Sequence, residues 1–385
     1  MSELFFHEVN RCLSCAKPLC VKGCPLGNDY SKIIKYIKED NYKQAVAQIG
    51  HPFGEICGYV CPHGNACQGG CVLACHGSPV KIGLIERELF SKYPYVIERK
   101  DTVLKGKNYA VIGGGISGLT FACKAYENGA DITVFECDEL LSTIKLIPDF
   151  RLPKQAVLRA ERAFLGKINL VRDKVDGKRL KSLQERFAAV YVSTGAAADF
   201  NLGIDGQAFA VDYRDCLKGN FTHGTVAIVG GGNSALDCAR YAKSVGCRAI
   251  VVYRRSQADM PAFATEVQAA VREGVEFMFN TAPISLQKAD GHLCLTLAKT
   301  VNEGRGKLVI TDETQTLSFN SVIAAIGSKF DGSILSAEKK ADTYLQYGNV
   351  YIGGDAKQGK LAVDAVKDGM ETVRLITEKE RKICL

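Results

Sequence analysis

Two glycine-rich turns, each placed between apolar segments, constrain the fold of this chain more than any other feature. Residues 113–118 read GGGISG, after an apolar segment at 109–112 and before a small-residue helix pattern. A second apolar segment at 132–135 then leads into Glu136. This order of strand, glycine turn, helix and strand with a terminal acid is typical of a dinucleotide-binding βαβ unit.

Four residues of this unit have a specific role in the prediction. Gly113 permits the tight turn, Gly115 lets backbone N–H groups approach a pyrophosphate at the positive helix end, and Gly118 allows close packing of helix on strand. Glu136 can accept hydrogen bonds from ribose hydroxyls. A glycine turn without a ligand is the alternative, and the complete context of two strands and an acid disfavours it.

A second unit of the same kind follows at 225–253. Its candidate phosphate-binding residues are Gly230, Gly232, Asn233 and Ser234. Its second apolar segment ends at Arg254 and Arg255, where a site for NAD would carry an acid. Arginines can pair with a 2′-phosphate that an acid would repel, so we expect NADP(H); two solvated arginines at a strand end are the alternative.

The cysteines point to metal or redox chemistry. Nine of the 16 fall between Cys12 and Cys75, and the opening residues lack the charged start and apolar core of a signal peptide, so a disulfide scaffold is not expected. The first group has the pattern C-x2-C-x4-C-x3-C-P and ends at Cys24-Pro25. The second begins at Cys57 and contains Cys61-Pro62.

Close spacing with a proline directly after a cysteine is typical of ferredoxin segments that hold [4Fe–4S] clusters. Thiolates suit iron because soft sulfur ligands bind it in such clusters. Zinc is the alternative, but structural zinc sites prefer paired C-x2-C elements, and the head contains only one, from Cys12 to Cys15. Cysteines that merely fill a core are a further alternative.

Charge and hydropathy exclude two classes of partner. The net charge is +7, but Lys and Arg are spread along the chain without a basic run interleaved with aromatic residues, so nucleic acid is not expected. No apolar run is long enough to span a bilayer. We therefore expect a cytoplasmic protein whose basic surface meets an acidic protein partner or anionic cofactors.

The cysteine-rich head resembles the N-terminal cluster domain of the glutamate synthase small-subunit family. That family includes the N-terminal half of dihydropyrimidine dehydrogenase and the large subunit of NADH-dependent ferredoxin:NADP oxidoreductase. The spacing from Cys61 to Cys67 is similar to the spacing in these two proteins rather than to that in the glutamate synthase subunit itself. The resemblance rests on CLSC at 12–15, GCP at 23–25, ICGYVCP at 56–62, CQGGC at 67–71, PVKIG at 79–83, IPDFRLPK at 147–154 and YRRS at 253–256.

The resemblance implies two sets of cluster ligands, interleaved along the head. One [4Fe–4S] cluster would be held by Cys12, Cys15, Cys20 and Cys71. The other would be held by Cys24, Cys61, Cys67 and Glu86. From its helical pattern alone Glu86 would be a solvated helix residue, and only its motif position favours ligation. Cys57 and Cys75 are left over, with core or neighbouring roles or as an alternative ligand.

In this family the first glycine turn binds FAD, and the flavin-binding domain closes with a Gly-Asp element. The matching residues here are Gly195, after a buried strand, and Gly354-Asp355. The family places a Gly-Gly pair shortly after the acidic strand end, where this chain has Leu140-Leu141-Ser142-Thr143. This departure bears on FAD affinity rather than on the identity of the cofactor.

The expected fold class is α/β: two Rossmann-like dinucleotide-binding domains, one inserted in the other, preceded by a small α-helical iron–sulfur domain. The expected boundaries are 1–105 for the helical domain, 106–205 with 320–385 for the FAD-binding domain, and 206–319 for the NADP(H)-binding domain.

The resemblance implies an NADPH-dependent oxidoreductase subunit that passes electrons between NADP(H), FAD and two [4Fe–4S] clusters, to or from a separate subunit or ferredoxin in a hetero-oligomer. No catalytic side chain is expected, because the cofactors carry the chemistry. A thioredoxin-reductase-like enzyme would need a C-x-x-C beside the flavin, and the cysteines after residue 100 are isolated. A cluster-bearing assembly subunit with a degenerate flavin site is the non-enzymatic alternative.

Overall fold

The structure, a computed structural model, describes residues 1–196, 201–304, 307–335, 346–357 and 361–383. The chain divides into two units. The first comprises Met1–Lys145, Asp149–Ala197 and Lys329–Leu385, and the second comprises Leu146–Pro148 and Ala198–Ser328. Among the described residues, no helix combines the length and apolar character that a membrane crossing needs.

The first unit begins with six helices around one apolar core. They are α1 (Glu3–Arg11), α2 (Leu19–Gly23), α3 (Tyr30–Lys38), α4 (Tyr42–Ile49), α5 (Gly54–Val60) and α6 (Ile82–Lys92). Helix α3 shows why they form: Ile33, Ile34 and Ile37 recur at helical spacing and are buried, while Asp29 caps the helix start. Helix α6, the last of the six, ends at Lys92.

The first βαβ unit and its continuation follow the head. Their elements are β1 (Asn108–Ile112), α7 (Ile116–Glu127), β2 (Asp131–Glu136), α8 (Ser142–Lys145), α9 (Lys154–Arg162), β3 (Asn169–Arg172), α10 (Gly177–Arg186) and β4 (Ala189–Val192). Buried Glu55 on α5 receives two hydrogen bonds from Arg159 on α9, from Nε at 2.9 Å and from Nη2 at 2.5 Å. This charge-assisted pair ties the helical head to the sheet domain within the first unit.

The second unit contains two sheets. Its elements are β5 (Val211–Asp212), α11 (Tyr213–Leu217), β6 (Thr225–Val229), α12 (Asn233–Ser244), β7 (Arg248–Val252), α13 (Ala264–Arg272), β8 (Glu276–Met278), β9 (Thr281–Ala289), β10 (His292–Asn302), β11 (Leu308–Phe319) and β12 (Ser321–Ala324). The parallel sheet has the order β5-β12-β6-β7-β8, and the antiparallel one β11-β10-β9. Because β12 pairs with β6, the second sheet extends past residue 319.

The chain then returns to the first unit with β13 (Gln346–Tyr347), β14 (Val350–Ile352) and α14 (Ala362–Ile383). The first sheet has the order β13-β14-β4-β1-β2-β3, and β14, β4, β1, β2 and β3 run parallel. Strand β4 is buried along its whole length, as its continuous apolar sequence requires in a sheet covered on both faces. Parallel strands end at the same edge, which brings the residues after β1, β4 and β14 together.

Candidate functional site

The first glycine turn joins β1 to α7 and keeps one open face. Gly113 has φ +100°, and a Cβ there would overlap the carbonyl of Ser193. A Cβ on Gly118 would overlap the carbonyl oxygen of Gly113, so helix and strand end are in direct contact. A Cβ on Gly115, by contrast, would meet no heavy atom within 4 Å, and α7 starts without a side-chain cap. The uncapped N–H groups suit an anionic phosphate.

Glu136 ends β2 with its carboxylate against the glycine turn. Its Oε2 accepts the N–H of Gly114 at 2.6 Å, and its Oε1 accepts the N–H of Asp138 at 2.8 Å. A carboxylate has about four lone-pair positions, so both oxygens can still accept ribose hydroxyls. The acid therefore also supports the turn, a second task that the sequence pattern did not predict.

The stretch that departs from the family pattern packs into the protein. The side chains of Leu140 and Leu141 are buried, and the N–H of Leu141 donates to the carbonyl of Gly114 at 2.9 Å. Leu141 has φ +57°, in the left-handed region that favours glycine. The chain thus keeps a glycine-like backbone here without glycine. The neighbouring turn at Gly115 stays open, so the residues present fit a dinucleotide pyrophosphate.

The residues that close this domain lie at the same sheet edge. Gly195 has φ +70° and open space around its Cβ position. The Cβ position of Gly354 lies 2.9 Å from the Cβ of Ser117 on α7, and its N–H donates to Asp368 on α14 at 3.0 Å. Asp355 is exposed. The fold thus brings the first turn and the Gly-Asp element into contact.

The second glycine turn, between β6 and α12, repeats this geometry. Gly230 has φ +146°, and a Cβ there would overlap the carbonyl of Ala325. Gly232 has no heavy atom within 4 Å of its Cβ position, and α12 starts without a side-chain cap. Ser234 is exposed, whereas the side-chain oxygen of Asn233 already accepts the N–H of Phe263 at 3.0 Å. Asn233 therefore ties the loop before α13 to the turn.

Arg254 and Arg255 follow strand β7, which ends at Val252, after one intervening residue. Arg254 is exposed and Arg255 half-buried. Among the described residues neither guanidinium has an ion pair or a hydrogen bond, which leaves both available to an anion. Two acids farther along the chain serve the fold instead: buried Arg240 donates to Glu266 at 2.6 Å and to Glu273 at 2.7 Å.

The head contains two separate cavities lined by cysteines. The first cavity is lined by the four members of one expected ligand set, Cys12, Cys15, Cys20 and Cys71. Burial raises the pKa of Cys20 to about 11, and the neighbouring thiols of Cys71 and Cys12 add to the shift. The rest of the lining includes the apolar side chains of Leu13, Leu19 and Val72, which are 61%, 48% and 39% exposed.

The second cavity is lined by the other expected set, Cys24, Cys61, Cys67 and Glu86. Burial raises the pKa of Cys67, followed by the charges of Glu86, Cys24 and Cys61, so these four groups face one another. Both sets therefore bind metal only with release of protons. Further residues line this cavity: Tyr30, His51, Cys57, His63 and, from the start of α14, Val363.

Glu86 is a buried residue, although its helical pattern alone predicts a solvated position. Its side chain is 3% exposed, and Tyr30 donates its hydroxyl to Oε1 at 2.6 Å. Burial raises the pKa of Glu86 to about 7, against the opposing effect of that hydrogen bond. A buried carboxyl in a thiol-lined cavity is unusual without a cation to balance it. The donor set thus fits an iron–sulfur cluster with one oxygen ligand.

The two leftover cysteines differ. Cys57 is buried in the second cavity, where a hydrogen bond with Cys61 and then burial raise its pKa. Cys75 is exposed and lines neither cavity. His63 also lines the second cavity: its Nε2 donates to the carbonyl of Cys57 at 3.0 Å, so its Nδ1 accepts from the thiol of Cys67 at 3.3 Å.

Sequence reasoning missed His51, His63 and Tyr30, which surround the second cavity. None of them stands in a recognisable spacing with the cysteines. Tyr30 and His51 are buried in the head, and burial of a polar side chain leaves no mark in a local sequence pattern. Only the tertiary structure reveals these three residues.

Neither a single metal ion nor a disulfide finds support in the described part of the chain. No three Cys, His, Asp or Glu side chains there are arranged to hold one ion. All described cysteines are free thiols. Cys216 and Cys238 are neighbours, but both are buried in the core of the second unit. Cys384, another of the isolated cysteines, lies outside the described residues.

Two families of known proteins match successive parts of the chain. Residues 1–94 match the family described as dihydropyrimidine dehydrogenase domain II, 4Fe-4S cluster, and residues 107–369 match pyridine nucleotide-disulphide oxidoreductase. The chain is 26% identical to the glutamate synthase [NADPH] small chain of Escherichia coli, covering 94% of this chain and 88% of that one. It is 28% identical to the NAD-dependent dihydropyrimidine dehydrogenase subunit PreT of the same species, covering 97% and 94%.

Among solved structures, Mycobacterium tuberculosis FprA in complex with NADPH superposes with a TM-score of 0.59 at 16% identity, covering 72% of this chain and 85% of that chain. At this identity the likeness shows the fold alone. Fold, turns and head together define a two-dinucleotide oxidoreductase with an iron–sulfur head.

The chain belongs to the pyridine nucleotide-disulphide oxidoreductase family. The predicted fold class, the oxidoreductase class and the likeness to glutamate synthase small subunits are confirmed.

Proposed function

We propose that this chain is the NADPH-dependent electron-transfer subunit of a larger assembly, with FAD, NADP(H) and two [4Fe–4S] clusters. The observation that carries the proposal is the sorting of the head's cysteines. Each of the two expected ligand sets lines its own cavity, although the members of the two sets are interleaved along the sequence. Relatives named as a small chain and as a subunit support a partner.

When bound, a flavin exchanges a hydride with a nicotinamide and releases single electrons that iron–sulfur clusters can carry. The chain's own residues bind and orient these groups. The open turn at Gly115 would bind the FAD pyrophosphate through the start of α7, and Glu136 would accept from its ribose. Gly195 and the Gly354-Asp355 element would lie against the rest of the flavin, at the sheet edge they share with that turn.

The second turn would bind NADP(H). Gly232 leaves room for its pyrophosphate, and Ser234 is exposed at the helix start. Arg254 and Arg255 are available to pair with the 2′-phosphate, which NADH lacks. Asn233 would act mainly by fixing the loop at Phe263.

The order of the clusters follows from the cavity linings in the first unit. Val363, at the start of the helix that follows the Gly-Asp element, lines the second cavity, and this supports a flavin-side position for that cavity. The first cavity has an exposed apolar rim of Leu13, Leu19 and Val72. Electrons would therefore pass between flavin and partner by way of the second cavity and then the first.

The partner remains defined by its chemistry. Lys17 and Lys22 are exposed between the cysteines of the first group, two and three residues in the sequence from Leu19 of the apolar rim. A protein with an acidic, partly apolar surface, such as a ferredoxin or an electron-accepting subunit, suits this face. The assembly subunit with a degenerate flavin site is not favoured, because the open glycine turns retain room for both dinucleotides.

The test is an anaerobic purification with iron, zinc and flavin measured per chain, followed by titration with NADPH or NADH. We expect iron for two four-iron clusters, one FAD, and bleaching by NADPH in preference to NADH. The double variant Arg254→Gln/Arg255→Gln should raise the NADPH requirement at least about tenfold, since each charge-assisted hydrogen bond contributes about 1.5–3 kcal/mol. Arg272→Gln, an exposed arginine of the same unit, is the matched control. Zinc in the head, or chains without flavin, would contradict the proposal.

A further inference from the structure

His51 carries an unused hydrogen-bond donor in the second cavity. Its side chain is 1% exposed and lines that cavity. Its Nδ1 accepts the backbone N–H of Phe53 at 3.2 Å, which fixes the neutral tautomer with the proton on Nε2. Nε2 has no hydrogen-bond partner among the described residues.

An unsatisfied buried N–H is unfavourable, so the structure of the loaded protein is expected to supply an acceptor. The cavity is where such an acceptor would be. Burial, and secondarily the charge of Lys124, lowers the pKa of His51 to about 3. The imidazole is therefore neutral throughout the physiological pH range and can donate one proton, at Nε2.

The tautomer also decides what His51 cannot do. To ligate iron through Nε2, the ring would have to move its proton to Nδ1 or lose it. A proton on Nδ1 would face the N–H of Phe53 and break that hydrogen bond. His51 is therefore a donor toward the cavity and not a metal ligand. His63 differs, since its Nε2–H is already donated to the carbonyl of Cys57 and it has no second proton to offer.

Given the proposed function, on which this inference rests, we propose that His51 donates its Nε2–H to a sulfur atom of the iron–sulfur cluster held in the second cavity and raises the reduction potential of that cluster. The reduced cluster carries one more negative charge than the oxidised one, so a donor stabilises it more strongly. Hydrogen bonds to cluster sulfurs are one of the means by which proteins set such potentials.

Two substitutions separate the two nitrogens of His51. Asparagine can place an acceptor where Nδ1 lies and so keep the bond to Phe53, but it does not reach the position of Nε2. Glutamine can return an N–H to that position. The His51→Asn variant should lose the donor to the cavity, and the His51→Gln variant should restore it.

The measurement is a redox titration of the holoprotein, followed by electron paramagnetic resonance with iron and flavin content as controls. The second cluster is recognised as the signal that changes in a Glu86→Cys variant. At a fixed potential, its ratio of reduced to oxidised form should fall about three- to tenfold in His51→Asn, where tenfold equals about 59 mV for one electron. His51→Gln should recover most of the ratio, and the first cluster should not change.

The outcomes of the inference and of the proposed function are distinct. Wild-type protein without two iron–sulfur clusters overturns the proposed function itself. Two clusters with an unchanged potential in His51→Asn overturn only the role of His51. If His51→Asn loses the second cluster, wild-type protein with 15N-labelled histidine decides. A nitrogen coupling to the reduced second cluster, transmitted through the hydrogen bond, supports the donor, and its absence overturns the role of His51. The coupling belongs to the second cluster if it changes together with the signal of that cluster in Glu86→Cys.

Discussion

The two cavities of the head are built from similar ligands but from different surroundings. The first has four thiols and an apolar rim that reaches solvent. The second has three thiols and a carboxyl of the expected set, and adds a tyrosine hydroxyl, two imidazoles and a fourth thiol. Polar donors around a cluster set its potential, whereas an accessible rim permits contact with a partner. In the proposed function, the first cavity therefore exchanges electrons with a partner, and the surroundings of the second cavity set the reduction potential of its cluster.

Loss of one thiol from each cavity gives the largest effect. Cys20→Ala should remove the first cluster and Cys67→Ala the second, and each should lower the iron content by about half. Cys67→Ala should also uncouple NADPH oxidation from the first cluster, because the proposed electron path runs from the flavin by way of the second cavity. Iron analysis with stopped-flow reduction by NADPH checks this. Cys75→Ala, in an exposed thiol outside both cavities, is the control. If either alanine variant lost all iron, the cavities would not be independent.

The tyrosine in the second cavity gives the next effect. Tyr30→Phe removes the hydrogen bond to the carboxyl of Glu86 and leaves a buried oxygen without its donor, at a cost of about 1–3 kcal/mol in the free energy of unfolding. The potential of the second cluster should fall, since its oxygen ligand becomes more electron-rich, while that of the first cluster stays constant.

A redox titration together with urea unfolding measures both parts. Tyr36→Phe, in a half-buried tyrosine on the same helix α3, is the matched control. Equal shifts of both clusters in Tyr30→Phe would show that the two cavities are not tuned separately.

The pH dependence of the free energy of unfolding distinguishes the two cavities, because His51 lines only the second. Its pKa in the folded chain is lowered to about 3 by burial, from 6.5. A lowered histidine pKa stabilises the fold above pH 6.5, and this contribution is lost as the pH falls toward 3. Below about pH 6 the free energy of unfolding should therefore decrease by up to about 1.4 kcal/mol per pH unit on account of His51.

Urea midpoints of wild type and His51→Asn at pH 7.5 and 5.5 test this slope, which the variant should lack. Glu86 acts in the opposite sense in the metal-free chain: its pKa is raised to about 7, so its contribution is present below pH 4.5 and lost as the pH rises through 7. Comparing two chains that both carry Glu86 isolates the histidine. Parallel pH profiles would contradict the assignment of a buried neutral imidazole.

The sequence made the ligand thiols and glycine turns predictable because both obey local rules. A phosphate turn needs glycine where φ is positive or where the backbone is in close contact, as at Gly113 and Gly230. The surroundings of the second cavity obey no such rule. His51, His63 and Tyr30 come from three different segments, and each acquires its role from burial and from the tautomer or hydrogen bond that burial imposes.

Two details of the dinucleotide units were equally hidden from the sequence. Leu141 adopts a backbone conformation that its residue type does not predict, because burial of its side chain and the hydrogen bond to Gly114 hold it there. Glu266 and Glu273 follow Arg254 and Arg255 along the chain but pair with Arg240. Local pattern identifies such residues, and only packing shows whether they serve a ligand or the fold.

The smallest predicted effect concerns the rim of the first cavity. Lys17 and Lys22 are exposed between the cysteines of the first group. The double variant Lys17→Gln/Lys22→Gln should therefore slow electron transfer to an anionic acceptor such as ferricyanide about two- to fivefold at low salt. Transfer to a cationic protein such as cytochrome c should be faster or unchanged. The difference should vanish at high ionic strength, where charges more than a few ångströms apart are screened. Lys178→Gln/Lys181→Gln, on the exposed face of α10, is the control. The second cavity has no comparable exposed rim among its described lining residues. If the control variant slowed electron transfer as much as Lys17→Gln/Lys22→Gln, electrons would not leave by way of the first cavity.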